Sequence, residues 1–152
     1  MTPIDNHSDS SVDPSSASAG TSPDEKAVLD AVDRIVRAFG NNDTATYFEL
    51  FSENASFVFH NHDRRLESTE EYRQLWHAWE RDDGFHVLDC LSTDRRVDLY
   101  GDTAVFSHVV LTTVRSTRDG ELTTAQSTER ETIVLMRSGA DWIAVHEHLS
   151  ST

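Results

Sequence analysis

Cysteine is nearly absent from this chain. Cys90 stands alone among 152 residues, so neither an internal disulfide nor a cysteine-built metal centre can form; in the run FHVLDCL it reads as a small residue in or near the core. Lysine is as scarce: Lys26 is the one lysine among 13 basic residues, which face 27 acidic ones. The resulting net charge of -14 opposes contact with phosphate backbones and anionic lipid, so neither nucleic acid nor a membrane surface is an expected partner. No apolar run approaches the ~18 residues of a membrane span. The N-terminus lacks the basic-then-apolar pattern of a secretory leader, and with a single thiol this makes the cytoplasm the expected compartment. The length suits one domain with a real core.

What is present divides the chain in two. Met1 to Thr21 is rich in Ser, Asp, Ala and Pro with almost nothing large and apolar; such a segment cannot bury enough surface to offset ordering entropy and is expected to be a disordered acidic tail, leaving 22–152 as the folded domain. Ser22-Pro23-Asp24-Glu25 announces a helix with a capping hydroxyl, proline at the first helical position and Glu three residues on. Val28, Ala31, Val32, Ile35 and Phe39 then form one apolar stripe, and Gly40 is expected to supply the left-handed stop. Asn42 and Asp43 are both competent caps for a short helix from Thr44 to Phe51 that turns Tyr47, Leu50 and Phe51 inward. Phe57 to Phe59 reads as a strand ending in His60-Asn61-His62-Asp63. A second capping box, Ser68 with Glu71, opens a helix carrying Tyr72, Leu75, Trp76 and Trp79 on one side, closed by Asp82-Asp83-Gly84.

From Phe85 onward the pattern has period two. Turn signals at Tyr100-Gly101-Asp102, Arg118-Asp119-Gly120 and Ser138-Gly139-Ala140-Asp141 predict a four-strand antiparallel meander: Phe85 to Val97, Ala104 to Thr117, Glu121 to Arg137 and Trp142 to Ser150. Helices first and strands after argue an α+β fold with helices laid on one face of the sheet. In the last strand, alternation puts Trp142, Ala144, His146, His148 and Ser150 on one face and Ile143, Val145, Glu147 and Leu149 on the other, provided no bulge shifts the parity. Glu147 is then a carboxylate among apolar neighbours. Facing a cavity it would have the raised pKa of a general acid or base; on an edge it would reach solvent.

Three helices, a strand and a meander closing on Trp142-x-x-Val145-His146-x-His148-x-Ser150 resemble the nuclear-transport-factor-two-like superfamily, specifically its SnoaL-like branch. Gly101-Asp102 with Ala104, Gln126-Ser127 through Glu131-Thr132, and Asp141-Trp142 through Ser150 are similar to motifs in the association domain of calcium/calmodulin-dependent kinase II. The resemblance covers about Ser22 to Ser150. It implies a cone, the cystatin-like α+β barrel, in which a curved antiparallel sheet wraps the N-terminal helices, leaves a pocket at the open end and pairs sheet to sheet as a homodimer. Isomerases, polyketide cyclases, dehydratases and non-catalytic hub domains share that fold, so it does not decide activity. The kinase domain's pocket arginines would fall at Val110, Ile133 and Leu149; aliphatics there remove the charge-assisted bonds that hold an anion.

The same correspondence puts those three aliphatics in the pocket, joined by alternation by His108, Thr112, Glu131 and Glu147 and walled by Tyr47, Phe51, Tyr72, Trp76 and Trp79. Apolar walls with few polar groups describe a small-molecule site; the aromatics taken singly also suit a plain core. His108 paired with Glu147, with Glu131 near, would supply an acid and a base for moving a proton beside a carbonyl without a cofactor, while a hydrogen-bonded structural His108 is the bland alternative. Two further readings stay open. His60 with His62, or His146 with His148, puts two imidazoles on one strand face and could hold a divalent metal if His86, His108 or Asp63 completed the set. Or the domain is a non-catalytic association module whose Trp142, His146 and His148 face a partner subunit.

Overall fold

The helices begin where the capping signals place them. The computed structural model describes residues 21–152, so the expected disordered tail lies, but for Thr21, outside the described residues. Helix α1 spans Pro23–Gly40, its first turn closed by the Ser22 hydroxyl accepting from the Glu25 N–H at 3.1 Å. Its Val28, Ala31, Val32, Ile35 and Ala38 are buried as one stripe. Gly40 is not the left-handed stop. The positive φ falls on Asn42, at 54°, and the side-chain oxygen of Asn42 accepts the Val87 N–H at 3.0 Å; Gly40 stays helical, and a Cβ there would lie 3.2 Å from the backbone nitrogen of Cys90. Glycine therefore lets the helix end press against the sheet. Asp43 caps α2, Thr44–Glu49, which ends earlier than its pattern predicts because Phe51 opens the first strand.

That strand, β1, runs Phe51–Phe59. Helix α3, Thr69–Asp83, has the expected Ser68 cap and a left-handed Gly84 at φ 58°. The meander follows as β2 His86–Tyr100, β3 Thr103–Arg118, β4 Glu121–Ser138 and β5 Asp141–Ser151, with two-residue turns at Gly101, Gly120 and Gly139. The five strands form one sheet in the order β1-β5-β4-β3-β2. The α+β class and the antiparallel meander match the sequence reading, with one refinement: β1 lies parallel to β5, so the curved sheet is mixed, and its two edge strands, β1 and β2, do not close into a barrel.

The three helices cover the inner face of the sheet, where Phe57, Phe106, Ile133, Leu135 and Trp76 are all but inaccessible. At the closed end Arg137 ties three elements together. Its guanidinium binds Asp24 of α1 at 2.8 Å and Asp102 of the β2–β3 turn at 2.9 Å and lies 4.7 Å from the Trp142 ring centre. Trp142 is 5% exposed, which corrects the last-strand parity. Val134 pairs with His146 but Leu135 pairs with Ala144, so Val145 is an extra residue in β5. The bulge brings Trp142 and Ala144 onto the inner face with Glu147 and leaves His146 and His148 outside. Among the described residues no helix is long and apolar enough to cross a membrane.

Candidate functional site

Register brings three titratable groups together on the inner face. His108 on β3 is directly opposite Glu131 on β4. Glu131 pairs with Leu149 and Ile133 with Glu147, so the two carboxyls are diagonal neighbours on one face, within side-chain reach. They are close enough for each to shift the other's titration. The Tyr47 hydroxyl donates to Glu147 Oε2 at 3.3 Å and lies 3.1 Å from the Tyr72 hydroxyl. On the other side, His108 Nε2 is 2.6 Å from Glu131 Oε1 and Nδ1 is 2.6 Å from the Ser92 hydroxyl. Two hydrogen-bonded runs, Ser92–His108–Glu131 and Glu147–Tyr47–Tyr72, thus meet at the carboxyl pair.

One proton arrangement that satisfies the contacts agrees with the directions in which the groups titrate. Ser92 donates to Nδ1, which leaves the Nε2–H of His108 to donate to Glu131; Glu131 accepts as carboxylate, also from a protonated Glu147. Burial pushes the Glu131 carboxyl up to about 7. Glu147 is raised well above the usual carboxylate range, first by burial and then by the charge of Glu131. Two neighbouring carboxyls repel each other's charge, so the pair gives up its protons in two steps, both raised above the usual carboxylate range. His108 moves the other way, to about 4, because burial and the nearby Arg95 guanidinium disfavour imidazolium. Its contact with Glu131 is therefore a hydrogen bond from a neutral ring. The arrangement separates an acid, Glu147, from a base, Glu131.

The carboxyl pair forms part of the wall of a cavity of about 370 Å³. Tyr72, Trp76, Trp79 and Asp83, spaced along one face of α3, line one side; Val110, Thr112 and Val114 of β3 line another. Of the residues expected in the pocket, Tyr47, Tyr72, Trp76, Trp79, Val110, Leu149, Glu131 and Glu147 line it. Three do not. Phe51 and Ile133 are 4% and 0% exposed, packed in the core beneath, and the His108 side chain is wholly enclosed, reaching the cavity only through Glu131. The expected His108–Glu147 pair is replaced by His108–Glu131 and Glu131–Glu147. Cys90 also lines the cavity, as a thiol rather than a thiolate, since burial raises it to about 12.

The histidine pairs do not converge. His60 binds Glu129 at 2.6 Å and His146 binds Ser56 at 2.8 Å; His148 is exposed on the outer face, and the Nε2 of His62 is buried without a partner. Among the described residues no group of three or more His, Cys, Asp or Glu side chains is arranged to hold a metal ion, so neither histidine pair gains a third ligand from His86, His108 or Asp63. Ser92 and Glu129 were missed; a signal existed for Glu129, while the register shift between Thr93 and Arg96 hides Ser92. Glu129 is two residues before Glu131 on the same strand, hence on the same face. The Arg118-Asp119-Gly120 turn pairs Arg118 with Glu121, and counting outward along the hairpin sets His108 against Glu131.

The SnoaL-like domain family matches residues 28–152. The chain belongs to this family. Solved structures agree on the fold: an NTF2-like protein from Cytophaga hutchinsonii superposes with a TM-score of 0.69 at 15% identity, covering 84% of this chain and 97% of that one. The CaMKII hub of S. rosetta gives 0.63 at 21% identity over 84% and 95%. A candidate dehydratase of the NTF2-like family from Streptomyces avermitilis gives 0.63 at 19% over 84% and 95%. No curated protein matches. At these identities the structural likeness speaks to fold alone, and this SnoaL-like chain must be read from its own site.

Proposed function

We propose that this domain binds a small, largely apolar carbonyl compound in its cavity and moves a proton beside the carbonyl without a cofactor. The observation that carries this reading is the pair of neighbouring carboxyls in the cavity wall, Glu147 buried and Glu131 nearly so, one bonded to Tyr47 and the other to His108. Glu131, titrating near neutrality, takes a proton from the carbon next to the carbonyl. Glu147, held protonated, gives its proton to the carbonyl oxygen where charge develops. Reversal at a different carbon is an isomerisation; capture of the enol by an internal carbonyl is a cyclisation; loss of a β-hydroxyl is a dehydration. Tyr47 orients Glu147, and His108, held in one tautomer by Ser92, orients Glu131.

Deuterium incorporation from D2O into a panel of cyclic ketones and enones, followed by NMR, tests the reading. Glu131→Gln and Glu147→Gln are each expected to slow exchange by about 10²–10⁴-fold. Exchange that is unchanged in both variants overturns it.

A second reading, self-association, has its own observation. The outer sheet face carries an apolar band in which Leu91 is 51% and Met136 45% exposed, with Val105, Val109, Leu111 and Val134 half-buried around them. Such a face suits a second copy of the sheet. Trp142, expected there as an anchor, points inward instead. Light scattering of wild type against Leu91→Glu distinguishes a dimer through this face, which the variant dissociates, from a monomer indifferent to the change.

A further inference from the structure

We infer that the compound held in this cavity carries a protonated amine, so that the site is a receptor for an organic cation. This rests on the cavity being the ligand site proposed above and adds the class of ligand.

Three independent features point the same way. The first is the aromatic wall. Tyr72, Trp76 and Trp79 line the cavity from one helix face, and Phe85 stacks edge-on against both tryptophans, with ring centres 5.0 and 5.4 Å away. Ring faces attract ammonium groups through their quadrupoles, most strongly where water is excluded.

The second is the sign of the charge. Glu129, Glu131 and Glu147 line the cavity from β4 and β5, and Asp83 lines it from α3. Among the described lining residues Arg118 is the one permanent cation, and it is exposed at the end of β3. An anionic ligand would meet acidic groups on β4, β5 and α3 against a single arginine.

The third is a missing counter-charge. Inside the protein Glu131 meets a neutral imidazole and a second carboxyl, and Glu147 meets Glu131 and a phenol; among the described residues no guanidinium or ammonium pairs with either. Burial raises both carboxyls, so near neutral pH Glu131 is ionised only in part, while proton abstraction needs it ionised. An ammonium beside the pair supplies the opposite charge that holds Glu131 ionised and leaves the proton on Glu147. A ligand cation would thus set the ionisation state that the chemistry uses. The net charge of -14 further concentrates cations at the surface.

The test compares frames that differ only in end group. Tryptamine, tryptophol and indole-3-propionate share an indole-ethyl frame ending in ammonium, hydroxyl and carboxylate; phenyl and naphthyl series are made alike. Each is titrated into the full chain by calorimetry, with the methyl NMR signals of Val110 and Leu149 reporting occupancy of the cavity. The amine of a frame that fits is expected to bind about tenfold tighter than its alcohol, about 1.4 kcal/mol, and the carboxylate weakest. Amine binding at pH 7 also releases protons, so its heat differs between phosphate and Tris buffers. Glu131→Gln with Glu147→Gln removes the amine's advantage and spares the alcohol. Glu129→Gln, on the same wall, lowers the advantage should the double variant not fold.

An alcohol binding as tightly as its amine, with Val110 and Leu149 shifted, overturns the cation and leaves the pocket standing. An amine advantage that survives in both the double variant and Glu129→Gln reduces it to general attraction by the acidic surface and also overturns it. If no compound of any series moves the two methyls, the cation and the pocket reading fall together.

Discussion

Replacing His108 and Glu131 one at a time should tilt the pH dependence of stability in opposite directions. Glu131 has a folded pKa of about 7 against an ordinary 4.5. A carboxyl raised on folding binds its proton more tightly in the native state, so its stabilising contribution is full below pH 4.5 and is lost as pH rises toward 7. The span of 2.5 units corresponds to about 3 kcal/mol. His108 falls from 6.5 to about 4. A base lowered on folding leaves stability untouched above 6.5 and removes it as pH falls toward 4, again by about 3 kcal/mol. In the wild type the two effects offset each other across much of this window. Relative to wild type, Glu131→Gln should therefore gain stability as pH rises from 4.5 to 7, and His108→Gln should gain as pH falls from 6.5 to 4. Urea unfolding followed by circular dichroism at half-unit steps between pH 4 and 8 gives both difference curves. Two flat curves would refute the assignment of a raised carboxyl and a suppressed imidazole.

Three further outcomes follow from the geometry. Ser92→Ala removes the hydrogen bond that fixes the His108 tautomer and should cost about 1 kcal/mol, read in urea at pH 7, while Ser92→Thr keeps the hydroxyl and the stability. Asn42→Ala loses both the bond to the Val87 N–H and an amide side chain suited to φ 54°; a loss of about 2 kcal/mol is expected, with Asn42→Gly losing less because glycine accepts the positive φ. Trp76→Ala opens the centre of the aromatic cluster and should destabilise by about 3–5 kcal/mol, measured by thermal unfolding.

Local signals wrote most of the fold. Capping at Ser22, Asp43 and Ser68, the glycine-bearing turns and the period-two run from Phe85 name nearly every element, because each depends on neighbours in sequence. What escaped depends on partners far away. Nothing near Phe51 says that β1 will lie parallel to β5, and Ser52-Glu53-Asn54 hides the start of that strand. Gly40 looks like a helix stop until the sheet pressed against it is seen. The extra residue at Val145 has no glycine to mark it, so Trp142 was placed on the wrong face, whereas Glu147, beyond the bulge, kept its apolar company. At the site, residue type and alternation found Glu131, Glu147 and His108. Their pairing was legible only through the hairpin register, and the depth that separates Ile133 and Phe51 from the lining required the packed helices.

The protonation of the carboxyl pair is the claim from which the chemistry follows, and it can be observed directly. With δ-13C glutamate incorporated, and Glu131→Gln and Glu147→Gln used for assignment, the carboxyl signals are titrated by NMR from pH 3 to 9. The account predicts one signal, from Glu131, with its midpoint near 7, and a second, from Glu147, also titrating well above the ordinary carboxylate range. Every glutamate titrating between about 4 and 5, in the ordinary carboxylate range, would contradict it.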